Sequence, residues 1–281
     1  MTEQLILKIG KWQLTPIVTG RFALDGGAMF GVVPKPLWSK TNPSDDMNRI
    51  SMAVRSLLIQ DEQRRILVDV GLPLDTNEKF DNIYAVDHRE YSMENSLKSV
   101  GLSPGDITDI IATHLHFDHA GGISKLEGKQ RVPYFPKAQI HVQKEHWKHA
   151  LHPTERDRAS FIVDTYRFLE GSGTLNLIDG PGELFPGIHL QLVNGHTPFQ
   201  QLVRITGEGG TVLYAADLIP TASHIPLPYI MGYDLNPLKT LEEKKAMLPR
   251  AVEEGWTLVF EHDPFRGMGK VTRDEKGFHI I

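Results

Sequence analysis

A dense run of histidine and aspartate side chains constrains the fold of this chain more than any other feature of its sequence. The segment THLHFDHAGG, residues 113–122, directly follows the apolar residues 110–112. A short apolar run of this kind predicts a buried strand, and a loop after a buried strand is held rigidly enough to position functional side chains. The side chains of that loop with metal-binding chemistry are those of His114, His116, Asp118 and His119.

The spacing of these four residues favours a bound metal over a surface turn. His114 and His116 are two positions apart, so on an extended backbone their side chains point the same way. Gly121 and Gly122 allow the backbone to approach its neighbours closely and a helix to begin. Four such ligands within six residues suit two adjacent cations better than one tetrahedral zinc ion. The same cluster without a metal would be costly to bury.

The composition of the chain excludes several other kinds of site. Its 281 residues include no cysteine, so it can hold no disulfide, thiolate zinc site, iron–sulfur cluster or cysteine nucleophile. It has 13 histidines, and histidine is both the commonest metal ligand and the usual acid–base group near neutral pH. Because the formal net charge is −5, we expect no nucleic-acid partner and no membrane attachment.

Domain organisation and location are predicted from the length and hydropathy of the chain. We find no internal repeat and no low-complexity linker, so we expect one domain over residues 1–281. No apolar run reaches the roughly 20 residues that a membrane-spanning helix needs. The start, MTEQLILK, lacks a basic segment followed by an apolar one. We therefore expect no signal peptide and a cytoplasmic location.

Apolar and β-branched runs predict the strands. We expect strands over 5–18 and 51–70, the second folded into a hairpin at residues 61–63. The residues between them, 25–48, are rich in glycine and proline and predict a long structured loop. Further strands are expected at 107–112, 174–178, 188–193, 201–206, 211–216 and 256–260, and a final hairpin over 270–281.

Helix signals alternate with these strands. The predicted helices cover 87–101, 144–151, 155–169 and a last segment that begins either at 236–237 or at 240 and runs toward 255. The first is expected to begin at Asp87 and the last to kink at Pro249. This order of elements indicates an α/β protein in which two packed β-sheets carry helices on their outer faces, with ligands collected at one edge.

Three more potential ligands occur far along the chain, each at the end of a predicted strand. They are His196 in VNGHTP, Asp217 in LYAAD and His262 in VFEHD. Together with the H-x-H-x-D-H run at 114–119, they form the full signature of the metallo-β-lactamase superfamily, which this sequence resembles over essentially its whole length. The resemblance implies an αβ/βα sandwich, with two mixed β-sheets flanked by helices.

The resemblance also implies a dinuclear metal site. The implied ligand sets are His114, His116 and His196 for one ion and Asp118, His119 and His262 for the other. Asp217 would bridge the two ions together with a hydroxide. The expected cofactors are two divalent transition-metal ions, with zinc as the first choice and iron, cobalt or manganese as alternatives.

Asp69 and the other histidines have different expected roles. Asp69 ends an apolar strand, where an isolated carboxylate is costly. The superfamily often has an acidic residue at this place, so the resemblance implies that Asp69 orients the imidazole of a ligand. A turn-capping aspartate is the alternative. We expect structural roles for the remaining histidines, with three of them at the surface, namely His141, His146 and His149.

Two segments of the chain are similar to N-acyl-homoserine lactonases, which quench quorum sensing, and to the related methyl-parathion hydrolases. They are DGGAMFGVVPK at 25–35 and DLIPTASH at 217–224. This resemblance implies a small-molecule lactone or ester as substrate. Some lactonases have a tyrosine three residues after the bridging aspartate to hydrogen-bond the substrate carbonyl, but here that position is Pro220. His224 or Tyr229 could reach the carbonyl instead.

The reaction that the resemblance implies is the opening of a lactone ring. The bridging hydroxide attacks the lactone carbonyl, one metal polarises the carbonyl oxygen and the other stabilises the leaving oxygen. Asp118 takes the hydroxide proton and passes it to the leaving alkoxide. The expected catalytic residues are therefore Asp118, Asp217 and His224.

Two other activities remain open from the sequence. The same ligands could serve a phosphotriesterase or arylesterase, which a kinetic comparison of lactone, aryl ester and phosphotriester substrates would distinguish. They could also serve a non-hydrolytic iron protein of the persulfide-dioxygenase type, which metal analysis and oxygen consumption would distinguish.

An apolar stretch after the bridging aspartate, residues 218–233, predicts the wall of the substrate pocket. We expect this wall to include Phe30, Trp38, Ile219, Tyr229 and Met231. A wall of this composition would hold an acyl tail at about 0.8 kcal/mol per buried methylene. The alternative is that the segments pack on each other or form the contact of a homodimer.

Overall fold

The computed structural model describes residues 6–87 and 90–281. Two seven-stranded mixed β-sheets pack against each other and helices flank them. This is the αβ/βα sandwich that the sequence resemblance implies. Residue 5, where the first expected strand begins, and His88 lie outside the described residues.

The strands are numbered in chain order. They are Leu7–Ile9 (β1), Trp12–Asp25 (β2), Arg49–Gln60 (β3), Arg65–Val68 (β4), Asp109–Ile111 (β5), Ser124–Glu127 (β6), Gln130–Pro133 (β7), Gln139–Gln143 (β8), Leu175–Ile178 (β9), Gly182–Phe185 (β10), Ile188–Val193 (β11), Gln200–Gly207 (β12), Gly210–Tyr214 (β13), Thr257–Val259 (β14), Met268–Asp274 (β15) and Gly277–Ile280 (β16).

Two seven-stranded sheets contain all of these strands except β6 and β7, which pair with each other in a separate two-stranded sheet. The first has the order β1-β2-β3-β4-β5-β8-β9, and the second runs from β10 to β16 in sequence order. Strands β4, β5, β8 and β9 pair in parallel, as do β13 and β14. Parallel strands end at the same edge of a sheet. The carboxyl ends of these strands therefore provide two groups of neighbouring loops.

The helices are also numbered in chain order. They are Gly26–Phe30 (α1), Lys35–Trp38 (α2), Glu78–Tyr84 (α3), Met93–Ser99 (α4), Phe117–Ala120 (α5), Lys144–Leu151 (α6) and Pro237–Glu253 (α7). The last begins at the earlier of the two expected places, because the Asn236 side chain accepts a hydrogen bond from the Lys239 backbone N–H, and it continues through Pro249. Among the described residues, no helix combines the length and apolar character that crossing a membrane requires.

The hairpin predicted at residues 61–63 is confirmed. Strands β3 and β4 pair antiparallel, and Asp61 begins the turn between them. Its Oδ1 accepts hydrogen bonds from the backbone N–H groups of Gln63 and Arg64, both at 2.8 Å. An aspartate that binds the backbone two and three residues on is the usual stabiliser of such a turn.

A shared apolar core joins the two sheets. The first sheet contributes β-branched and leucine side chains such as Leu57 and Ile66, and the second contributes Val203, Leu213 and Leu258, all fully buried. Burial of apolar area at roughly 25 cal/mol per Å² is the main free-energy gain of such packing. The core therefore fixes the two sheets against each other, and with them the loops at their edge.

Two of the predicted helical and loop regions differ from the structure. The segment 25–48 is not only loop, because it contains α1, capped by the Asp25 side chain, and α2. The helix expected from Asp87 begins instead at Met93, since the Ser92 side chain accepts the capping hydrogen bond from the Asn95 N–H. Serine is as good an N-cap as aspartate, so composition alone did not favour the correct start.

The helix predicted over 155–169 is wrong. This segment forms three separate 3₁₀ turns, Arg158–Ser160, Val163–Thr165 and Arg167–Leu169. The breaks between them allow Phe161, Tyr166 and Leu169 to enter one core cluster while Ile162 packs against another. Tertiary packing has therefore overridden a helix-like apolar spacing.

Candidate metal centre

Four strands end in loops that carry the predicted metal ligands. His114, His196, Asp217 and His262 each lie three residues after the last residue of a strand, namely β5, β11, β13 and β14 respectively. All four side chains are buried. This regular offset brings ligands from both sheets to one edge of the sandwich, where side chains at strand ends can converge.

The other ligands belong to the loop after β5 and to helix α5, which holds Asp118 and His119. The backbone carbonyl of His119 accepts hydrogen bonds from Val70 at 2.7 Å and Gly71 at 3.0 Å. A Cβ at Gly122 would lie 2.3 Å from the Val70 carbonyl oxygen. Only glycine permits this approach, so the glycine that follows the motif is needed to hold α5 against the end of β4.

The seven side chains form two groups, each of which could hold a metal ion. Within each group the potential ligand atoms lie within 4.8 Å of one another. The groups are His114, His116, His196 and Asp217, and Asp118, His119 and His262. The seven residues that the sequence predicts to meet therefore do lie together in the fold.

Asp217 lies between the two groups. Its Oδ2 is 3.1 Å from His196 Nε2 and 3.3 Å from His119 Nε2, and its Oδ1 is 3.2 Å from His262 Nε2. The carboxylate thus contacts imidazoles of both groups. This is the position that a residue must occupy if it is to bridge two neighbouring ions.

Several imidazole nitrogens face each other at hydrogen-bond distance. His116 Nδ1 is 3.0 Å from His114 Nε2 and 3.1 Å from His196 Nε2, while His119 Nε2 is 3.1 Å from His262 Nε2. In addition, His116 Nε2 and Asp217 Oδ1 have no hydrogen-bond partner although they are buried. Converging nitrogens and unpartnered buried atoms are costly unless a cation lies among them, so this donor set fits divalent transition metals.

The outward-facing nitrogens of the ligand imidazoles are held by other groups. Asp69 Oδ2 lies 3.0 Å from His119 Nδ1 and also accepts a hydrogen bond from the Thr113 hydroxyl. His262 Nδ1 donates to the Ala53 carbonyl at 2.9 Å. Such partners fix the tautomer and the orientation of an imidazole that coordinates metal through its other nitrogen.

The Asp217 carboxylate has a large effect on the pKa of the imidazoles beside it. Burial opposes the charging of His196 and His262, but the Asp217 carboxylate outweighs it and raises the pKa to about 10 for His196 and about 9 for His262. Burial lowers the pKa of His114 and His116 well below the usual value, and the neighbouring imidazoles lower it further. The carboxylates therefore favour positive charge at His196 and His262.

A cavity of about 220 Å³ opens onto both groups of ligands. Its apolar lining consists chiefly of Leu24, Met29, Phe117, Met231 and Leu235. Its polar lining includes the ligands His116, Asp118, His196, Asp217 and His262 together with Tyr84, Arg156, Asp157, Ser160 and Tyr233. An apolar cavity with a few converging polar groups is the usual form of a small-molecule site.

A model of the metallo-β-lactamase superfamily matches residues 52–262 of the chain. The chain belongs to this superfamily. Among curated proteins, N-acyl homoserine lactonase AiiA of Bacillus thuringiensis subsp. kurstaki is 30% identical over 226 residues, which cover 76% of this chain and 82% of that protein. A metallo-β-lactamase superfamily member with such relatives and with this ligand cluster is a metal-dependent hydrolase.

Solved structures of superfamily members agree with this assignment. A probable metal-dependent hydrolase from Staphylococcus aureus is 30% identical, with a TM-score of 0.88 and 98% of both chains covered. An N-acyl homoserine lactone hydrolase, solved with N-hexanoyl-L-homoserine at its catalytic metal centre, is 26% identical, with a TM-score of 0.65 and 92% and 95% coverage of the two chains. The dizinc quorum-quenching lactonase AidC shares the fold, with a TM-score of 0.80 at 23% identity and 99% and 96% coverage.

Four of the five residues predicted for the substrate wall do not line the cavity of this metallo-β-lactamase superfamily protein. Phe30, Trp38 and Ile219 are almost completely buried, and Phe30 stacks on Trp38 at 5.4 Å between ring centroids. They fill the interior behind the cavity because each is an apolar side chain on a segment that packs inward. Met231 does line the cavity, whereas Tyr229 packs edge-on against Phe30.

The position of His224 also corrects its predicted contact with substrate. Its Nε2 donates to the Met29 carbonyl at 2.9 Å, and its Nδ1 accepts from the Thr221 hydroxyl at 2.7 Å. Burial lowers the pKa of His224 to about 4, so it is neutral. With both ring nitrogens bonded and no surface on the cavity, the neutral His224 imidazole holds the loop after Asp217 against α1.

The prediction that His141, His146 and His149 lie at the surface is wrong for the first two. His141 lies between Asp109 and Asn176, and His146 is fully buried. His146 Nε2 accepts from the Leu115 N–H at 2.9 Å, and its Nδ1 donates to the Pro198 carbonyl at 2.7 Å. It therefore ties the loops that carry His116 and His196 together.

Three residues that support the ligands were not identified from the sequence. Glu261 is fully buried with Oε2 at 2.9 Å from His119 Nδ1, and Asp234 Oδ1 is at 2.9 Å from His196 Nδ1. The buried Arg55 guanidinium donates to the carbonyls of Phe260 and Asp263, on either side of His262. Only Glu261 carried a sequence signal, as a carboxylate that directly precedes a ligand after an apolar strand.

Proposed function

We propose that this protein hydrolyses lactones of the N-acyl-homoserine type by means of two divalent transition-metal ions. The observation that carries the proposal is the buried cluster of seven His and Asp side chains, with Asp217 between its two groups, at the base of a largely apolar cavity. The named activity of the relatives, and the product bound at the metal centre of one of them, supply the substrate class.

Two sets of residues would hold the ions, with zinc as the expected metal. His114, His116 and His196 would bind one ion, Asp118, His119 and His262 the other, and Asp217 both. When bound, two such ions lower the pKa of a shared water and polarise the oxygen of a carbonyl group. Asp69 and Asp234 would act on the far sides of His119 and His196, where each would hold the Nδ1 proton and leave the metal-facing Nε2 free of a proton.

Asp118 is suited to move the proton of the reaction. It belongs to the ligand group of His119 and His262, yet it also lines the cavity into which the substrate would enter. A carboxylate at that boundary can accept a proton from the attacking water and give it to the leaving oxygen. Asp217 lies deeper and would serve as a ligand and bridge.

The cavity walls favour a substrate with an apolar tail. Leu24, Met29, Met231 and Leu235 line it on the side away from the ligands. An acyl chain in contact with these side chains would gain about 0.8 kcal/mol for each methylene removed from water. The wall would therefore select among acyl-homoserine lactones by chain length, while the ring lies over the metal ligands.

The proposal is tested by a panel of substrates on metal-replete protein. Acyl-homoserine lactones of four to twelve carbons, an aryl ester and a phosphotriester would be compared through the protons that each hydrolysis releases. We expect kcat/KM for the best lactone to exceed that for the other classes by at least about tenfold. Preference for the phosphotriester or aryl ester, or oxygen consumption without hydrolysis, would refute the lactonase assignment.

A further inference from the structure

Two tyrosine hydroxyls in the cavity are free to bind substrate. Tyr84 is the last residue of α3, and Tyr233 follows Met231. Both side chains line the cavity. Neither hydroxyl makes a hydrogen bond to another residue within 6–87 or 90–281. A phenol that faces a binding cavity without a partner has its donor available for a ligand.

None of residues 218–224 lines the cavity. Ile219 is completely buried, and Pro220 has no backbone N–H. The Pro220 carbonyl already accepts a hydrogen bond from the His262 N–H at 3.0 Å. His224 has both ring nitrogens bonded within the protein. A donor for the substrate carbonyl must therefore come from another part of the cavity.

Tyr84 packs against Phe117, next to the predicted metal ligands. Its ring lies 4.6 Å from that of Phe80 and 4.8 Å from that of Phe117, between centroids. Phe117 directly precedes Asp118 and begins helix α5. The position of the phenol is thus coupled through one aromatic contact to the element that carries two of the ligands. Catalytic hydrogen bonds require this kind of fixed geometry.

Tyr84 lines the same cavity as the carboxylate of Asp118. Burial raises the pKa of Tyr84, and the negative charge of Asp118 raises it further. Burial likewise raises the pKa of Tyr233, with contributions from Asp25, Tyr84 and Asp118. Both phenols are therefore neutral donors, but Tyr233 is 38% exposed and lies in a turn rather than in a helix.

The other donors of the cavity are less suitable. Arg156 donates to the Gly232 carbonyl at 2.7 Å, which ties its guanidinium to the opposite segment of the lining. Ser160 belongs to a 3₁₀ turn that follows Asp157, away from the helix that carries Asp118 and His119. Tyr84 combines a free hydroxyl with a direct aromatic contact to the first residue of α5.

We propose that Tyr84 is a catalytic residue, whose phenol hydroxyl donates a hydrogen bond to the ring carbonyl oxygen of the bound lactone. This role rests on the proposed lactone hydrolysis. The proton stays on the phenol throughout, and the bond strengthens as negative charge develops on the carbonyl oxygen. Such a donor stabilises the transition state more than the ground state. It therefore raises kcat as well as the affinity for substrate.

The test compares Tyr84→Phe with wild type on two unreactive ligands as well as on the lactone. One ligand is the acylamino γ-lactam, which keeps the ring carbonyl, and the other is the acylamino tetrahydrofuran, which lacks it. We expect kcat/KM for the lactone to fall about 10- to 100-fold. Lactam affinity should fall about 3- to 10-fold, while affinity for the tetrahydrofuran and the metal content remain within twofold of wild type.

Two further variants serve as controls. Tyr233→Phe removes the other phenol hydroxyl, at the exposed side of the cavity. It should lower kcat/KM and lactam affinity less than Tyr84→Phe does. Tyr134→Phe removes a phenol that packs on Phe135 outside the cavity, and it should leave all values unchanged. These controls separate loss of one hydrogen bond from a general effect of removing a tyrosine.

The possible outcomes distinguish the two proposals. If wild type opens lactones and Tyr84→Phe keeps its kcat/KM and lactam affinity, the role of Tyr84 is refuted and the lactonase assignment stands. Equal loss of lactam and tetrahydrofuran binding, or loss of metal, would also refute it, because Tyr84 would then act by packing. If wild type neither hydrolyses lactones nor binds the lactam, both proposals fall.

Discussion

Asp234 Oδ1 lies 2.9 Å from Nδ1 of His196, although 38 positions separate the two residues in the chain. The other carboxylate oxygen of Asp234 accepts a hydrogen bond of 2.6 Å from the Thr240 hydroxyl in helix α7. Asp234 is almost completely buried. A carboxylate held from both sides in this way orients the imidazole so that Nε2 faces the other ligands.

Asp234→Asn is expected to weaken metal binding without unfolding the protein. The amide keeps the shape of the carboxylate but loses its charge, so the imidazole becomes less basic and less well oriented. We expect the affinity of the site for zinc to fall about 10- to 100-fold. Competition with a chromophoric chelator measures this directly. Asp179→Asn, at a side chain that is 83% exposed, is the matched control and should leave the affinity unchanged.

Asp217→Asn is expected to have a larger effect, because Asp217 contacts imidazoles of both ligand groups. Loss of its charge should lower the metal content from about two ions per chain to one or fewer, and abolish nearly all hydrolysis. Elemental analysis after gel filtration gives the metal content. Two retained ions and near-normal turnover would contradict a bridging role.

The residues that cluster at the candidate metal centre could be predicted from the sequence because local patterns mark them. Each distal ligand follows an apolar strand, and the order of strands brings those ends together. Asp234 and Arg55 have no such mark. Their roles depend on partners 38 and more than 200 positions away, which only the packed fold brings into contact. Long-range polar pairs of this kind leave no local periodicity to detect.

The substrate wall was predicted less well, for a different physical reason. Hydrophobic side chains such as Phe30 and Ile219 suit a core and a cavity wall equally. Which of the two they occupy depends on the path of the backbone, as with the 3₁₀ turns in the segment 155–169 that replace the expected helix and bring Ser160 to the lining. Hydrophobicity therefore predicted the character of the wall but not all of its members.

Met231→Ala is expected to reduce the preference for long acyl tails. Met231 lines the cavity and is otherwise buried, so its removal takes away apolar contact without touching a ligand. The kcat/KM should fall about tenfold for a ten-carbon lactone and less than twofold for a four-carbon lactone. Tyr229→Ala is the comparison, because that ring packs on Phe30. An equal loss of kcat/KM at all acyl-chain lengths would show that the acyl tail does not contact Met231.

Lys244 is a buried cation with no carboxylate partner among its hydrogen bonds. It is 1% exposed, and Nζ donates to the carbonyls of His224 at 2.6 Å and of Pro226 and Tyr229 at 2.9 Å. It thus holds the turn that precedes Met231. Lys244→Met would leave these carbonyls unpaired, and we expect it to lower the free energy of unfolding by about 2–4 kcal/mol.

Urea unfolding of the metal-replete protein measures that loss. Lys245→Met is the matched control, because the neighbouring Lys245 is exposed on the same helix and should cost less than about 0.5 kcal/mol. A loss at Lys244 no larger than at Lys245 would show that the three carbonyls find other donors.

The pH dependence of stability gives a further test of Lys244. Burial lowers its pKa from 10.5 to about 7, and the nearby Asp234 opposes the shift only in part. Between these two values the unfolded chain binds a proton at Lys244 that the folded protein does not, so the stability of the folded state rises with pH through this window. Below about pH 7 both states are protonated there, and the contribution no longer changes with pH.

Subtracting the unfolding free energy of Lys244→Met from that of wild type isolates this contribution, because the other titrating groups are common to both proteins. We expect the difference to be constant between pH 5.5 and 6.5 and to grow above pH 7 by up to about 1.4 kcal/mol per pH unit. Urea unfolding at half-unit steps from pH 5.5 to 9 measures it. A difference that stays level or shrinks above pH 7 would mean that the three carbonyls keep Lys244 charged in the folded protein.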